Sequence, residues 1–372
     1  MSLSRTQQQA LARLRQMACL DFSGLQLIEP VLHELHRLIG FDSGVFFYPD
    51  AQGALDAYIE PSPAREWMHL YFDPRMKAQE LKLVRYSLHD FDAAVRHEHG
   101  VLLMEQILQV THHEFIRSDF YNELARPSEW QDFLSLVLRT PQGRGVGSLK
   151  LCRRPGAPRF APEDIALLER TSPWLARALQ PGELDAQDSV VHDSAMLVAT
   201  PQGRLLWTSP QADQLMALAF GMRWYRRNEL PPALCVLLER LRWVEQDGTG
   251  RGRAPALPQL DLHNASGWFS LRATQMAAAA GAGEGDFDGG RAVGIHITQR
   301  VARVARLLPT LRALGLPQRQ HELAYWLARG VPGEQIATRM GISANTATYH
   351  RRQIYTRLGV QSRKELQAYL MK

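Results

Sequence analysis

The stretch ISANTATYHRRQIYTRLGV (residues 342–360) constrains the fold of this chain more than any other segment. Ser343 can cap a helix by accepting a hydrogen bond from a backbone N–H of the first turn. Ala347, Ile354 and Leu358 then recur at helical spacing and predict a buried stripe. Gly359 is placed to end the helix in a left-handed conformation. The segment therefore predicts one amphipathic helix between the serine and the glycine.

The opposite side of this helix carries groups that can read DNA bases. The polar positions at i, i+3, i+4 and i+7 are Asn345, Thr348, Tyr349 and Arg352. In a major groove, arginine pairs with guanine, asparagine with adenine, and a methyl group packs on thymine. A solvated amphipathic helix is the ordinary alternative, because most charged helix faces only contact water. The neighbouring segments decide between the two.

Two shorter helices are predicted directly upstream. RQHELAYWLA (residues 319–328) is apolar-periodic and is closed by Gly330, while EQIATRM (residues 334–340) follows Pro332, near a helix start. The tripeptide GIS then makes a tight turn into the helix described above. Two helices joined in this way, with the polar face on the second, form a helix-turn-helix. A fourth helix, capped by Ser362, follows.

Residues 316–370 resemble the LuxR/GerE-type DNA-binding domain of bacterial transcription factors. The matching residues are Leu316, Arg319, Glu322, Leu323, Ala328, Gly330, Ile336, Ala337, Ile342, Ser343, Thr346, His350, Ile354, Leu358, Gly359, Val360, Ser362, Arg363, Lys364, Glu365 and Leu366. The resemblance implies an all-α four-helix domain with double-stranded DNA and RNA polymerase as partners. It also implies a homodimer paired through the last helix, whose apolar edge would consist of Leu366, Tyr369 and Leu370.

The sequence departs from the family pattern at several positions. Gln320 stands where the family usually has glutamate, and Pro332-Gly333-Glu334 stand where it tends toward Ser-Asn-Lys. Thr348 replaces a common lysine, and Arg351 replaces a common apolar residue. These differences leave the expected fold unchanged, but they put the target sequence and the phosphate contacts in doubt.

The helix from Ser343 predicts a division of labour on DNA. Thr348, Tyr349 and Arg352 are expected to touch base edges. Asn345, Thr346 and His350 lie nearer the first turns, where phosphate contacts and capping are expected. Arg351 projects closer to the buried side, so we expect its charge to extend outward to a phosphate.

Charge and cysteine content agree with a basic module on a neutral body. The net charge is +5, and residues 315–372 hold nine Lys/Arg against three Asp/Glu, so this end carries all of the excess. Such a distribution is expected for a phosphate-binding domain. Three cysteines, far apart and odd in number, predict no disulfide framework and suit a reducing cytoplasm. No apolar run reaches the length of a membrane span, so we expect a cytoplasmic protein without a membrane partner.

Two α+β sensory domains are expected ahead of the DNA-binding domain. Residues 1–182 contain hairpins at 44–60 and 133–153 between helices, and this order resembles a GAF domain. In the second hairpin, Leu134, Leu136 and Leu138 are expected to share a buried face with Leu149 and Leu151. Residues 188–298 begin with strand, turn, strand and helix and end with further strands, which resembles a PAS domain.

Two shorter features complete the organisation of the chain. The pentapeptide TPQGR occurs at 140–144 and 200–204 between different flanks, so we interpret both copies as hairpin turns and not as a repeat. A connecting helix is expected at 299–314, before the DNA-binding domain at 315–372. It could transmit a conformational change, pair with its copy in a dimer, or pack within its own domain.

Aromatic side chains are the candidates for a ligand site in the first domain. Most are expected in the core, but a small-molecule effector could be lined by Phe47, Tyr58, Trp67, Tyr71 and Trp130. The histidines near 97–99 and 112–113 lack the spacing of metal ligands, so neither a metal nor a cofactor is expected. No phosphate-binding loop and no nucleophile arrangement is present, which argues against catalysis.

The sequence therefore predicts a DNA-binding transcriptional regulator whose front domains sense a small molecule. Two other classes stay open at this point. One is an enzyme with an appended DNA-binding domain, and the other is a constitutive DNA-binding dimer whose front domains only mediate assembly.

Overall fold

The computed structural model describes residues 3–20, 22–50, 53–182, 189–224, 228–246, 258–277 and 291–370. The first domain contains α1 (Arg5–Met17), α2 (Ile28–Leu38), β1 (Ser43–Pro49), β2 (Leu55–Ile59), α3 (Ala64–Tyr71), α4 (Pro74–Glu80), α5 (Phe91–His97), β3 (Val101–Leu103), α6 (Met104–Ile107), α7 (His112–Arg117), β4 (Asp132–Arg139), β5 (Gly145–Arg153) and α8 (Pro162–Leu179). The second contains β6 (Ser189–Ala199), β7 (Leu205–Trp207), α9 (Pro210–Phe220), α10 (Pro232–Gln246), β8 (Gln259–Asn264), β9 (Gly267–Ala277) and β10 (Arg291–Ala302). The C-terminal helices are α11 (Arg303–Ala313), α12 (Gln318–Ala328), α13 (Gly333–Met340), α14 (Ala344–Leu358) and α15 (Arg363–Leu370).

The sheet of the first domain is antiparallel, with the strand order β2-β1-β5-β4-β3. The predicted hairpin at 133–153 is confirmed, because Leu134 pairs with Leu151 and Leu136 with Leu149. Side chains two residues apart on a strand share a face, so these leucines lie together on one side of the sheet. All four are almost completely buried.

The two faces of this sheet have different hydrophobic cores. Phe46 packs with the leucines of β4 and β5 and with α1, α2 and α8. Its neighbour Phe47 points to the other face and packs with side chains of α3, α4 and α5. Consecutive strand residues alternate between faces, so β1 contributes a large aromatic ring to each core. Gly147 on β5 leaves room for the first ring, since a Cβ there would lie 2.3 Å from it.

Both copies of TPQGR form the same kind of hairpin turn, as predicted. In the first copy, the N–H of Thr140 donates to the carbonyl of Arg144 at 2.9 Å, and in the second the N–H of Thr200 donates to the carbonyl of Arg204 at 2.8 Å. The glycine of each copy, Gly143 or Gly203, has a φ above 80°. A positive φ costs glycine little, which explains why the same pentapeptide serves in different surroundings.

The second domain has an antiparallel sheet with the order β7-β6-β10-β9-β8 and a core of its own. Helices α9 and α10 cover one face, where Phe269, Leu271 and Ile295 are buried. The other face carries exposed apolar side chains, including Trp207 (56% exposed) and Met196 (51%).

The connecting helix begins later than the sequence predicts. Residues 299–302 continue strand β10, and α11 starts at Arg303. Its apolar side chains Val304, Leu308 and Leu311 are buried in one continuous core with the first domain and the C-terminal helices. The helix therefore packs between the first domain and the C-terminal helices and not within a domain of its own, while transmission of a conformational change and pairing with its copy stay predictions.

The first domain and the C-terminal helices meet directly. Helix α12 contacts α1 and α11, and α11 contacts α15. In addition, the N–H of Ala302 donates to Oε1 of Gln26 at 2.8 Å, so the start of α11 is tied to the loop before α2. The DNA-binding module therefore lies on the side of the first sheet that α1, α2 and α8 cover. Among the described residues, no helix combines the length and the apolar character that a membrane span requires.

Candidate nucleic-acid interface and ligand cavity

Helix α14 begins and ends where the sequence predicts. Ser343 caps it, because its Oγ accepts the N–H of Thr346 at 3.1 Å, and Gly359 ends it with φ 66°. Ala347 and Ile354 are buried against the rest of the module. The cap and the buried stripe together fix the rotation of the helix about its axis.

This rotation directs one polar stripe toward solvent. At about 100° per residue, the positions opposite Ala347 are 345, 349, 352 and 356. Asn345, Tyr349, Arg352 and Thr356 are all exposed, and Tyr349 has 58% of its surface accessible. Three of these four were predicted as DNA contacts. Thr356 completes the exposed stripe, and its i+4 spacing from Arg352 indicates this position from the sequence as well.

A chain of amide groups holds the exposed tyrosine in place. Nε2 of Gln353 donates to the Tyr349 hydroxyl at 2.6 Å, and Nε2 of Gln320 donates to Oε1 of Gln353, also at 2.6 Å. Gln320 lies on α12, so a residue of α12 helps to position the exposed Tyr349 side chain of α14. In the sequence, Gln320 stands out only as a departure from the family pattern, and this contact shows what the amide does there.

The remaining predicted contacts lie beside the stripe. Thr346 is engaged at the cap, since its Oγ1 lies 2.8 Å from Oγ of Ser343. Thr348 and His350 are half-buried, and Nδ1 of His350 is enclosed without a hydrogen-bond partner among the described residues. Arg351 is exposed although its position is near the buried side, as expected for a long side chain that extends outward.

The last helix supports the module from behind. Nε of Arg363 donates to the carbonyl of Leu327 at 2.8 Å, and Nε2 of Gln367 donates to the carbonyl of Ala328 at 2.8 Å. These bonds add side-chain donors to the last carbonyls of α12, which lack the full set of partners inside the helix. The predicted apolar dimer edge is corrected by the structure, because Leu366 (0% exposed) and Leu370 (1%) are core residues of the module itself. Only Tyr369, at 38% exposure, is accessible to a partner.

A cavity lies in the first domain, between the sheet and the helices on the Phe47 side. The space between its walls, including the part that is continuous with solvent, measures about 710 Å³, and most of its wall is apolar or aromatic. The lining residues are Phe47, Tyr71, Glu80, Val84, Tyr86, Leu88, Glu98, Met104, Ile107, Leu108, Phe115, Phe120, Ala125, Trp130, Phe133, Lys150 and Cys152. An apolar cavity with a few polar groups is typical of small-molecule sites.

Three of the five predicted ligand residues line this cavity, namely Phe47, Tyr71 and Trp130. The other two do not. Tyr58 on β2 packs at the edge of the core on the opposite face, and burial raises its pKa to about 12. Trp67 on α3 is 39% exposed. Sequence alternation on β1 separates the two faces, but no pattern indicates which side of a short helix such as α3 faces the sheet.

A buried carboxyl forms one polar part of the cavity wall. Glu80, at 7% exposure, accepts a hydrogen bond from the Tyr71 hydroxyl at 2.8 Å and another from Ser87. Burial raises the pKa of Glu80, while the two donated bonds oppose that shift. The sequence does not single out Glu80, because the helix that ends there has the composition of an ordinary solvent-exposed helix.

A second carboxyl is linked to a lysine through a serine. Glu98, at 1% exposure, accepts a hydrogen bond from Oγ of Ser135 at 2.8 Å. Nζ of Lys150 lies 3.4 Å from the same serine Oγ. Lys150 also lies 4.4 Å from the ring centre of Phe133. Burial and the charge of Glu98 raise the pKa of Tyr86. The cavity thus offers an ammonium group and carboxylate oxygens within an aromatic wall.

The wall around Trp130 has an unusual backbone. Residues Tyr121–Ala125 form a π-helical turn, and Glu129 has φ 58°, the one positive φ of a residue other than glycine in the described chain. Such features concentrate at functional sites, because they aim side chains that regular structure would not. The backbone N–H of Trp130 donates to the carbonyl of Ala125 at 2.9 Å, while its indole Nε1 is enclosed and has no hydrogen-bond partner among the residues that the structure describes.

The fold and the exposed stripe of α14 define the class of this protein, a helix-turn-helix DNA-binding protein. Residues 315–370 match the family described as bacterial regulatory proteins, luxR family, and residues 23–179 match the GAF domain. The chain therefore carries a LuxR-type DNA-binding domain behind a GAF sensory domain, as the sequence resemblance predicted. Neither match extends into residues 188–298, so the PAS-like interpretation of that segment stays a prediction. The chain matches no curated protein.

Several solved structures are similar to this chain at low identity. Escherichia coli SdiA is 11% identical, with 98% of each chain covered and a TM-score of 0.29. SdiA in complex with octanoyl-rac-glycerol is 12% identical, with 99% of this chain and 96% of that chain covered and a TM-score of 0.30. The phage VqmA–DPO complex is 20% identical, with 48% of this chain and 82% of that chain covered and a TM-score of 0.20. Scores this low do not establish a shared overall arrangement.

Within the described residues, no group of three or more His, Cys, Asp or Glu side chains is arranged to hold a metal ion. Cys152 lines the cavity, and burial raises the pKa of its thiol to about 12. A thiol with such a pKa is a poor nucleophile at neutral pH.

Proposed function

We propose that this protein is a transcriptional regulator that binds DNA through α14 and responds to a small molecule held in the cavity of its GAF domain. The observation that supports this most directly is the indole N–H of Trp130, a residue of the aromatic cavity wall, for which the described residues provide no acceptor. A buried donor without a partner is destabilising, so a ligand oxygen or nitrogen that accepts from it would be favoured.

The arrangement of the domains offers a route from ligand to DNA. The cavity lies on one face of the first sheet, and the helices that contact α11 and α12 lie on the other. Phe46 and Phe47 are adjacent on β1 and belong to the two opposite cores. A ligand that binds one position of β1 more tightly than another would shift the equilibrium between the two positions by that difference in affinity. The shift would change how the DNA-binding module packs on the first domain.

The test compares two tryptophan variants of the full chain. Trp130→Phe keeps an aromatic ring but removes the N–H, whereas Trp67→Phe makes the same change outside the cavity. A metabolite that stabilises the wild-type protein against heat should bind Trp130→Phe about tenfold more weakly, as expected for one lost hydrogen bond. The Trp67→Phe variant should bind normally, and titration calorimetry measures both constants. Equal affinities in the two variants would place the effector elsewhere.

Dimerisation, binding to RNA polymerase and a cytoplasmic location belong to the same proposal. Helix-turn-helix proteins that read two half-sites need two modules about one helical turn of DNA apart. Tyr369 is the accessible residue of the helix that the family uses for pairing. An enzymatic role has no support from either family match. A constitutive dimer would bind DNA equally well with and without the metabolite found above, and a gel-shift titration would show this.

A further inference from the structure

A second cleft lies where the first domain meets the helices that lead to the DNA-binding module. The space between its walls, which is continuous with solvent, measures about 350 Å³. The lining residues are Arg13, Gln16, Met17 and Leu20 from the first helix and its end, Pro30 and Glu34 from α2, Leu308 and Arg312 from α11, and His321 from α12. Four helices of two domains therefore enclose it.

The charges around this cleft do not balance. Glu34, at 2% exposure, is paired with Arg13 at 3.1 Å and with Arg37 at 3.2 Å, so both carboxylate oxygens are already used. Arg312 is half-buried, and its guanidinium makes no ion pair or hydrogen bond with any residue that the structure describes. Burial lowers the pKa of Arg312, and the two other guanidinium groups lower it further, while Glu34 and Glu29 oppose the shift. One more negative charge would relieve this excess.

Two enclosed nitrogen atoms in the cleft also lack partners. They are Nε2 of Gln16 and Nδ1 of His321, for which the described residues provide no hydrogen bond. His321 is 6% exposed, and burial together with Arg13 and Arg312 lowers its pKa to about 4. An amide N–H and an imidazole nitrogen next to a free guanidinium form a set of groups suited to an acceptor.

We propose that this cleft binds a small oxyanion, held by the Arg312 guanidinium with Gln16 and His321, which joins the first domain to the DNA-binding module. A planar guanidinium can bind two oxygens of one anion at once. The carboxylate of Glu34 lies in the same cleft, but its charge is compensated by two arginines. The anion contacts α1, α11 and α12 together, so it stabilises their contact.

The experiment titrates the full chain with inorganic phosphate, sulfate or acetate by calorimetry, at constant ionic strength set with chloride. Arg312→Gln should weaken the binding of the preferred anion at least tenfold. Arg303→Gln removes an exposed arginine from the same helix and should have no effect. The three anions distinguish phosphate-type from carboxylate-type ligands. Binding by none of them, or equal binding by both variants, would overturn the proposal.

Three further measurements distinguish anion binding in this cleft from anion binding elsewhere and from loss of stability. Phosphate can also bind the exposed arginines of α14, so Arg352→Ala should leave the calorimetric constant unchanged if the cleft is the site. If Arg312→Gln lowers the melting temperature of the unliganded protein, Arg312→Lys provides the second variant, which keeps the charge and should bind with intermediate affinity. In NMR titrations, the anion should raise the pKa of His321, which faces Arg13, Arg312 and Glu34. An unchanged pKa at saturating anion would contradict the site.

Discussion

Arg351 and Arg352 are adjacent and both exposed, but they lie about 100° apart around α14. Arg352 belongs to the stripe opposite the buried residues, together with Asn345 and Tyr349. Arg351 starts near the buried side and reaches solvent only through its length. Because their chemistry is the same, we expect their different positions on the helix to give them different roles on DNA.

The two arginines should respond differently to mutation. Arg352→Ala should cost about 1–3 kcal/mol on the cognate site and relax the preference at one base position, because a bidentate base contact is lost. Arg351→Ala should weaken binding to all sequences alike and reduce the salt slope by about one. Salt titrations on cognate and scrambled duplexes measure both effects. If Arg352→Ala loses equal affinity on the two duplexes, α14 only positions the protein.

At the scale of elements, α15 combines two tasks. Leu366 and Leu370 hold it to the module, and Arg363 and Gln367 cap the end of α12. Deletion of this helix would therefore unfold the DNA-binding domain and would not report on pairing. Tyr369 is the position where pairing can be tested without loss of the core.

Tyr369→Arg should leave the melting temperature of the protein unchanged, because the side chain is exposed. It should weaken binding to a two-half-site duplex at least tenfold while binding to a single half-site is kept. Leu366→Arg is the contrasting variant and should unfold the module, since it buries a charge. Sedimentation velocity and gel shifts on both duplexes report these results. Normal two-site binding by Tyr369→Arg would exclude α15 as the pairing surface.

At the scale of the whole molecule, the largest hydrophobic core of the described residues does not follow the order of the domains along the chain. The first domain shares a continuous core with α11 and the C-terminal helices, while the second domain has its own. We infer that the DNA-binding module depends on the first domain for its support. The second domain lies between them in sequence, but it takes little part in this core.

This organisation predicts two unfolding transitions. Leu311→Ala removes a fully buried side chain from the shared core, and Leu271→Ala removes one from the core of the second domain. Each should destabilise its own transition by about 2–5 kcal/mol and leave the other in place. Differential scanning calorimetry of the two variants separates these effects. A single transition that both variants shift equally would show that all domains unfold together.

The sequence by itself determined the local structure of the DNA-binding module. Ser343, Gly359 and the spacing of Ala347 and Ile354 fixed the bounds and rotation of α14, because caps and periodicity act within one helix. The leucine alternation in β4 and β5 likewise indicated the register of that hairpin, because a shift by one residue would move every leucine to the other face. These signals are short in range, so they can be read without knowing the fold.

Only the tertiary structure decided which distant residues meet. It placed Glu80, Glu98 and Lys150 in one cavity with Trp130, and it excluded Tyr58 and Trp67. It buried Leu366 and Leu370, which the sequence could not distinguish from an exposed apolar edge. It also brought Arg13, Arg312 and His321 together across three hundred residues of chain. Packing of one element on another decides burial and charge neighbourhood, and neither is encoded in the spacing of residues along a single helix or strand.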